Sequence, residues 1–177
     1  MSVSLDGYVE GPNREIDWHL VDDEFNAYAA DTLAATDALL MGRVTYELMA
    51  GYWPTARGDD PAVTRLMNDT PKLVFSRTLR EVPWRNSRLA LGSIADEVAA
   101  LRRDPADGLL WVGGSTLATS LIEQDLPDEL RIIVTPVLLG ARKPVFGGIR
   151  TRRSLRLLAT RPFHSGAVLL TYVPRAG

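Results

Sequence analysis

The sequence contains no cysteine, only two histidines and no long apolar run. Without cysteine the chain can form no disulfide, no thiolate nucleophile and no sulfur-ligated metal site. His19 and His164 are far apart and match no metal-binding motif, so we expect no bound metal ion. Because the chain has neither a signal-peptide pattern nor about 18 consecutive apolar residues, we expect a cytoplasmic protein without a membrane span.

Net charge is also small. The 177 residues carry 20 Lys and Arg against 22 Asp and Glu, which gives a net charge of −2. This balance provides no overall attraction to nucleic acid or to an anionic membrane surface, so neither is an expected partner. The apolar content of 46% is typical of a globular protein, and the length predicts a single domain over residues 1–177.

Short apolar runs alternate with amphipathic segments along most of the chain, as they do in βαβ units. After Glu129 the pattern changes to three strands, of which the last two, at 155–160 and 167–173, resemble a hairpin. The predicted fold is therefore α/β. We expect a mixed, mostly parallel central sheet with helices on both faces and antiparallel C-terminal strands.

Local signals place several helix boundaries. Asp22, Asp60 and Ser93 are candidate N-caps, because each precedes an amphipathic segment and carries a side-chain oxygen. Gly51 is predicted to end the second helix, and residues 104–108 are predicted to form a turn before the next strand.

Three of the predicted strands end in short turns that are rich in glycine, hydroxyl groups and arginine. These turns are Gly42-Arg43-Val44-Thr45, Ser76-Arg77-Thr78 and Gly113-Gly114-Ser115-Thr116. Glycine lets a ligand approach the backbone N–H groups of a helix start, while hydroxyl and guanidinium groups hydrogen-bond phosphate. Each turn alone is also compatible with a tight turn without a ligand. Because ligands of open α/β sheets bind where strand ends meet, the three together predict a site for one dinucleotide.

The composition of the turns narrows the choice of dinucleotide. The two hydroxyls around Arg77 suit a phosphate monoester, which favours NADPH, with its 2′-phosphate, over NADH. The chain contains neither a Gly-x-Gly-x-x-Gly nor a Gly-x-x-x-x-Gly-Lys motif. A Rossmann dehydrogenase and a P-loop enzyme are therefore not supported.

Five motifs follow one another along most of the chain. They are Ser-Leu-Asp-Gly at 4–7, Leu-Met-Gly-Arg-Val-Thr-Tyr-Glu at 40–47, Val-Phe-Ser-Arg-Thr at 74–78, Val-Gly-Gly-Ser-Thr-Leu at 112–117 and Thr-Pro-Val-Leu-Leu-Gly at 135–140. In these motifs the chain resembles the dihydrofolate reductase superfamily. The likeness is closer to the reductase domain of the bifunctional riboflavin-biosynthesis enzyme and its stand-alone bacterial relatives.

The resemblance implies a homodimeric, NADPH-dependent reductase that transfers hydride to a pterin- or pyrimidine-like ring. It also implies a cis peptide bond between Gly113 and Gly114. Residues of all three turns would contact the cofactor: Gly42, Arg43 and Thr45 its phosphates, Ser76, Arg77 and Thr78 its 2′-phosphate, and Gly113, Gly114, Ser115 and Thr116 its pyrophosphate.

The resemblance also implies roles on the substrate side. Trp18 and Asp23 have the spacing of a loop tryptophan and a helix carboxylate that anchors the ring and assists protonation, and Thr135 matches the threonine that supports this carboxylate. Asp6 follows the first strand and either contacts substrate or holds its own loop. For Asp23 the alternative is a purely electrostatic role, since acids are favoured at helix starts.

Two positions depart from the family pattern and leave the substrate open. Ala27 stands where dihydrofolate reductases carry an aromatic residue, and Val112 stands where riboflavin-type reductases carry an acid that holds a sugar phosphate. The alternative function is therefore an NADPH-binding sensor or interaction module without catalytic activity.

Overall fold

The computed structural model describes residues 1–103, 108–140 and 143–175, which divide into two compact units. The first unit comprises Met1–Phe25 and Thr119–Gly177, and the second comprises Asn26–Ala118. The single domain over 1–177 stays a prediction, and the turn predicted at 104–108 lies outside the described residues except for Gly108. Within the described ranges, no helix is long and apolar enough to cross a membrane.

The second unit is built on a parallel sheet of four strands. Its strands are β2 (Thr36–Gly42), β3 (Lys72–Phe75), β4 (Ser87–Leu89) and β5 (Leu109–Gly113), in the order β4-β3-β2-β5. Three helices lie between these strands in sequence: α2 (Arg43–Tyr52), α3 (Pro61–Asp69) and α4 (Ile94–Arg102).

The centre of this sheet explains why its strands are continuous apolar runs. Leu39, Met41 and Val74 expose no surface, because a central parallel strand is covered on both faces. The register pairs Met41 with Gly113, and Gly42 with Phe75. The turns that follow β2, β3 and β5 therefore all lie at the carboxyl end of the parallel strands, as predicted.

The first unit holds a second sheet of four strands: β1 (Ser2–Ser4), β6 (Leu130–Thr135), β7 (Leu155–Pro162) and β8 (Val168–Pro174). Their order is β1-β6-β8-β7. The β1–β6 pair is parallel, whereas β8 is antiparallel to both β6 and β7. These pairings confirm the predicted α/β class and the antiparallel C-terminal hairpin.

Side-chain caps begin three helices where they were predicted. Asp22 Oδ1 accepts the backbone N–H of Phe25 at 2.8 Å in the first turn of α1 (Asp23–Ala34). Asp60 caps α3 through two backbone N–H groups, and Ser93 caps α4. A fifth helix, α5 (Ser115–Glu123), follows β5 directly.

The predicted end of α2 at Gly51 is wrong. The helix continues through Tyr52 into a 3-10 turn at Trp53–Thr55. Trp53 Nε1 donates to Met49 Sδ at 3.1 Å, and Asn68 Nδ2 donates to the carbonyl of Trp53 at 2.9 Å. The local contact with Met49 and the longer-range contact with Asn68 carry the chain past the glycine, which alone does not stop a helix.

A buried cation lies at the start of β3. Lys72 is only 1% exposed, and its ammonium donates to the carbonyls of Asn68 and Thr70 at 2.9 and 2.7 Å. The ammonium also lies 4.3 Å from the centroid of the Trp84 ring. Burial, followed by repulsion from Arg85, lowers the pKa of Lys72 from 10.5 to about 8.

We expect the free energy of unfolding to rise between pH 8 and pH 10.5 because of Lys72. In this range the unfolded chain holds the Lys72 proton and the folded chain does not, so unfolding takes up a proton and is opposed as pH rises. The gain is about 1.4 kcal/mol per pH unit and about 3 kcal/mol in total. Urea unfolding across this range should show the rise in the wild type and lose it in Lys72→Met. Equal pH slopes in the two proteins would refute the assignment.

Candidate functional site

The turns after β2 and β5 pack directly against each other. A Cβ atom added to Gly114 would overlap Oγ1 of Thr45, and one added to Gly113 would lie 3.3 Å from Cγ2 of the same threonine. Gly114 also has a φ of +94°, which side chains disfavour. Position 114 therefore requires glycine for its backbone angle and for its closeness to Thr45.

The prediction of a cis peptide bond between Gly113 and Gly114 is wrong. Within the described ranges every peptide bond is trans. The chain instead turns from β5 into α5 through the positive φ of Gly114. Glycine adopts this conformation readily, and the peptide bond stays trans.

The two helices that leave these turns start differently from the other three. At the start of α2, Gly42 makes no side-chain cap, and neither α2 nor α5 has an acidic residue in its first turn. By contrast, α1, α3 and α4 each begin with a side-chain cap. The first N–H groups of a helix lack intrahelical partners and carry partial positive charge, so these two starts favour an anion.

Arg43 strengthens this anion preference. It is the first residue of α2, where the helix dipole disfavours a cation. Its Nη1 lies 2.8 Å from Glu47 Oε2, but the pair is about half exposed and has the less favourable order along the helix. Helix stability therefore gives little reason for an arginine at this position, and contact of Arg43 with a cofactor phosphate stays a prediction. Sequence reasoning missed the role of Glu47, although its four-residue spacing from Arg43 was the signal.

The turn after β3 is held by its own serine. Ser76 Oγ accepts the backbone N–H groups of Thr78 at 3.1 Å and Leu79 at 2.9 Å. Arg77 and Thr78 are exposed, and among the described residues no carboxylate lies within ion-pair distance of Arg77. The turn thus presents a guanidinium on a fixed backbone. In the turn after β5, which lies beyond β2 in the sheet, Ser115 is buried and Thr116 is exposed.

In the first unit, three consecutive carboxylates at the start of α1 have different surroundings. Asp22 caps the helix. Glu24 Oε2 accepts the backbone N–H of His164 and contacts its Nδ1, both at 2.8 Å, and Arg161 donates to Oε1 at 3.4 Å. These contacts, the His164 backbone N–H foremost, lower the pKa of Glu24. Asp23 is exposed and makes no such contact in the described part of the chain.

Asp6 holds its own loop. Its carboxylate accepts the hydroxyl of Ser4 at 2.6 Å and the backbone N–H groups of Leu139 and Gly140 at 3.2 and 2.8 Å. The Ser4 hydroxyl is the largest cause of a lowered pKa at Asp6. The structure thus shows the first of the two predicted roles of Asp6, which is to hold the loop. Contact between Asp6 and substrate stays a prediction.

The other two substrate-side candidates lie in separate local environments. Trp18 Nε1 donates to the carbonyl of Glu15 at 3.2 Å, and the indole meets the ring of His19 edge-on. Thr135 is 3% exposed at the end of β6. Between the described residues Asp23 and Thr135 no hydrogen bond forms, so support of the carboxylate by this threonine stays a prediction.

The amino-acid sequence is similar to those of known proteins. The sequence model of the RibD C-terminal domain matches residues 1–169. The uncharacterised protein YyaP of Bacillus subtilis strain 168 is 34% identical over 177 residues, covering 97% of this chain and 91% of YyaP.

Solved structures give the same result for the fold. A crystal structure from Shewanella sp. PV-4, whose name assigns it to riboflavin biosynthesis, has a TM-score of 0.79 at 26% identity, covering 99% of this chain and 97% of the other. Dihydrofolate reductase from Enterococcus faecalis, complexed with NADP(H), has a TM-score of 0.66 at 17% identity, with 99% and 94% covered. The fold is thus dihydrofolate-reductase-like, and the chain belongs to the RibD C-terminal domain family.

Proposed function

We propose that the protein is an NADPH-dependent reductase that transfers hydride to a pterin- or pyrimidine-like heterocycle. The observation that carries this proposal is the pair of glycine-led helix starts beside Arg43, neither of which has an acidic residue in its first turn. The dihydrofolate reductase with a similar fold is complexed with NADP(H), and family membership favours a reductase.

The residues of the second unit fit the phosphates of NADPH. The first N–H groups of α2 and α5 would donate to the pyrophosphate, with glycines leaving room for its close approach. Arg77 would pair with the 2′-phosphate, and the Ser76 hydroxyl, which also lies 3.5 Å from Thr78 Oγ1, would donate to the same group. When bound, NADPH would supply the hydride.

On the substrate side, Asp23 is the carboxylate that we propose to promote protonation of the acceptor nitrogen. Its two neighbours are already engaged, Asp22 as a helix cap and Glu24 with the C-terminal hairpin. A general acid must reach its acceptor directly or through one water, and an exposed carboxylate on a rigid helix turn can do so.

Arg77→Ala is expected to weaken NADPH binding about 10- to 100-fold and to leave NADH binding unchanged. Removing a charge-assisted contact to phosphate costs about 1.5 to 3 kcal/mol, and only NADPH carries the 2′-phosphate. Calorimetric titration with both nucleotides measures the change. Arg57→Ala, another exposed arginine of the second unit, is the control and should bind like the wild type. An unchanged preference for NADPH in Arg77→Ala would show that the 2′-phosphate lies elsewhere.

The enzyme and sensor alternatives differ in turnover. With NADPH bound, dihydrofolate or a ribosylaminopyrimidine is offered and the loss of NADPH absorbance is followed. Oxidation of NADPH that depends on the added heterocycle supports the reductase. Tight NADPH binding without oxidation by either class of heterocycle would favour the binding module.

A further inference from the structure

Two adjoining recesses lie on the surface of the second unit. The first has a volume of about 380 Å³, and its polar lining consists of Asp59, Thr64, Arg65, Asn68 and Arg85. The second has a volume of about 460 Å³ and is lined by Ala50, Pro54, Pro83 and Trp84, together with Asn68 and Arg85. Because two residues line both recesses, the recesses share a wall. Their volumes lie within the range of roughly 300 to 1,000 Å³ that is usual for small-molecule sites.

The shared wall lies at the opposite end of β3 from the proposed 2′-phosphate turn. Asn68 precedes this strand, and the ammonium of Lys72, its first residue, donates to the Asn68 carbonyl at 2.9 Å. Arg85 precedes β4, whose first residue pairs with Lys72. Ser76, by contrast, follows the last residue of β3. Since a strand of four residues spans about 13 Å, the recesses and the turn at Ser76 are separate surfaces.

The wall between the recesses is fixed by hydrogen bonds of the Asn68 side chain. Its Nδ2 donates to the carbonyls of Trp53 and Thr64, both at 2.9 Å, and its Oδ1 accepts the indole N–H of Trp84 at 2.8 Å. The backbone N–H of Trp84 donates in turn to the hydroxyl of Tyr46 at 3.0 Å. A wall that is ordered before a ligand arrives loses little conformational entropy on binding, which favours affinity.

The first recess brings together hydrogen-bond donors that have few partners of their own. Arg65 is exposed, and no carboxylate lies within ion-pair distance of it in the described ranges. Nor does the Thr64 hydroxyl form a hydrogen bond with another described residue. Arg85 pairs with Asp69 through Nη2 at 2.7 Å, yet its side chain stays 60% exposed. Two guanidinium groups and a hydroxyl are the donors that a phosphate group prefers.

The charges around the first recess also favour an anion. The carboxylates are already engaged: Asp59 accepts the Tyr52 hydroxyl at 2.8 and 2.7 Å through its two oxygens, and Asp69 pairs with Arg85. At Lys72, behind the wall, burial is the largest cause of the lowered pKa, and the charge of Arg85 lowers this pKa more than Asp69 raises it. The net field of this ion pair is therefore positive at Lys72, and an anion in the recess would offset it.

We propose that the two recesses form a binding site for a small phosphate monoester with an apolar organic part. The phosphate would lie in the first recess and accept hydrogen bonds from Arg65, Arg85 and the Thr64 hydroxyl. The organic part would lie in the second recess, against Pro54 and Pro83. A cation would meet two guanidinium groups, and a neutral apolar molecule would leave the donors of the first recess without an acceptor. This site goes beyond the proposed reductase and does not depend on it.

Calorimetric titration of the full chain with phenyl phosphate tests the site, because this probe combines a phosphate with an apolar ring. We expect a dissociation constant below about 1 mM. Inorganic phosphate should bind about 10-fold more weakly, since it buries no apolar surface.

Arg65→Ala should weaken phenyl phosphate binding about 10- to 100-fold, because it removes a charge-assisted contact with the phosphate. Alanine is favoured in helices, so the variant should fold. Arg65→Lys keeps the charge and should retain part of the affinity. Arg80→Ala, at another exposed arginine of the second unit that lines neither recess, is the matched control and should bind like the wild type.

A phosphate probe can also enter the proposed cofactor site, so two further titrations separate the sites. Phenyl phosphate should bind with unchanged affinity in Arg77→Ala and in wild-type protein that is just saturated with NADPH. If the wild type binds no NADPH, the proposed reductase fails, but the comparison of Arg65→Ala with Arg77→Ala still tests the recesses.

Three results would overturn the proposal. They are the absence of phenyl phosphate binding at millimolar concentration, equal affinity in Arg65→Ala and the wild type, and equal affinity for phenyl phosphate and inorganic phosphate. Binding that Arg77→Ala abolishes and Arg65→Ala leaves intact would assign the phosphate to the turn after β3 instead. None of these results affects the proposed cofactor site, which the nucleotide titration tests separately.

Discussion

Gly114→Ala should lower the free energy of unfolding by about 3 kcal/mol or more and abolish NADPH binding at concentrations that saturate the wild type. Two causes add together. The left-handed backbone costs an L residue about 1 to 2 kcal/mol, and the new methyl group overlaps Oγ1 of Thr45, which forces the two turns apart. Because both turns supply N–H groups to the proposed phosphate site, their separation removes the site.

The chain contains a control that separates these two causes. Gly58 has a nearly identical φ of +91°, but a Cβ atom there would meet nothing within 4 Å. Gly58→Ala should therefore show only the backbone cost of about 1 to 2 kcal/mol and bind NADPH normally. Adding Thr45→Ala to Gly114→Ala should recover the difference in stability. Equal destabilisation by the two glycine substitutions would show that contact with Thr45 is unimportant.

Asp23→Asn should slow NADPH oxidation at least 100-fold, with nucleotide affinity unchanged. Loss of a positioned proton donor typically lowers rates by about 10²- to 10⁴-fold, whereas the phosphate contacts belong to other residues. Single-turnover oxidation with saturating NADPH and heterocycle measures the effect.

The neighbouring carboxylate provides the control. Asp22→Asn keeps a side-chain oxygen that can cap α1, so we expect a near-normal rate. Similar losses in the two variants would mean that Asp23 acts through the helix start and not on the substrate.

The sequence predicted the local features of this protein well. Asp22, Asp60 and Ser93 cap helices because capping is decided within three or four residues. The strand-to-helix turns at Gly42 and Gly113 could also be predicted, because a buried apolar run, a glycine and an amphipathic segment follow one another in the sequence.

Features that depend on distant contacts were missed. Glu24 and His164 are 140 residues apart, so no local pattern joins them. The exposure of β7 could not be predicted either, because its leucines and arginines equally suit a half-buried strand, and only the strand order places it at an edge. The prediction that α2 ends at Gly51 was wrong because the contact of Trp53 with Asn68, together with a local contact with Met49, outweighs the low helix propensity of glycine.

The cis bond expected at Gly113 shows the limit of a family resemblance. The likeness implied that both glycines contact the cofactor, and it did not foresee that Gly114 packs against Thr45 at the start of α2. It did not determine the peptide geometry, because a positive φ at Gly114 turns the chain equally well. Substrate identity is open for a similar reason, since Ala27 and Val112 depart from the residues that relatives use.

Titration of the wild-type protein with NADPH and NADH tests the proposed reductase site most directly. The glycine-led starts of α2 and α5, together with Arg77 near the 2′-phosphate, predict saturable binding of NADPH at least 10-fold tighter than that of NADH. The absence of binding by either nucleotide would contradict the proposed function.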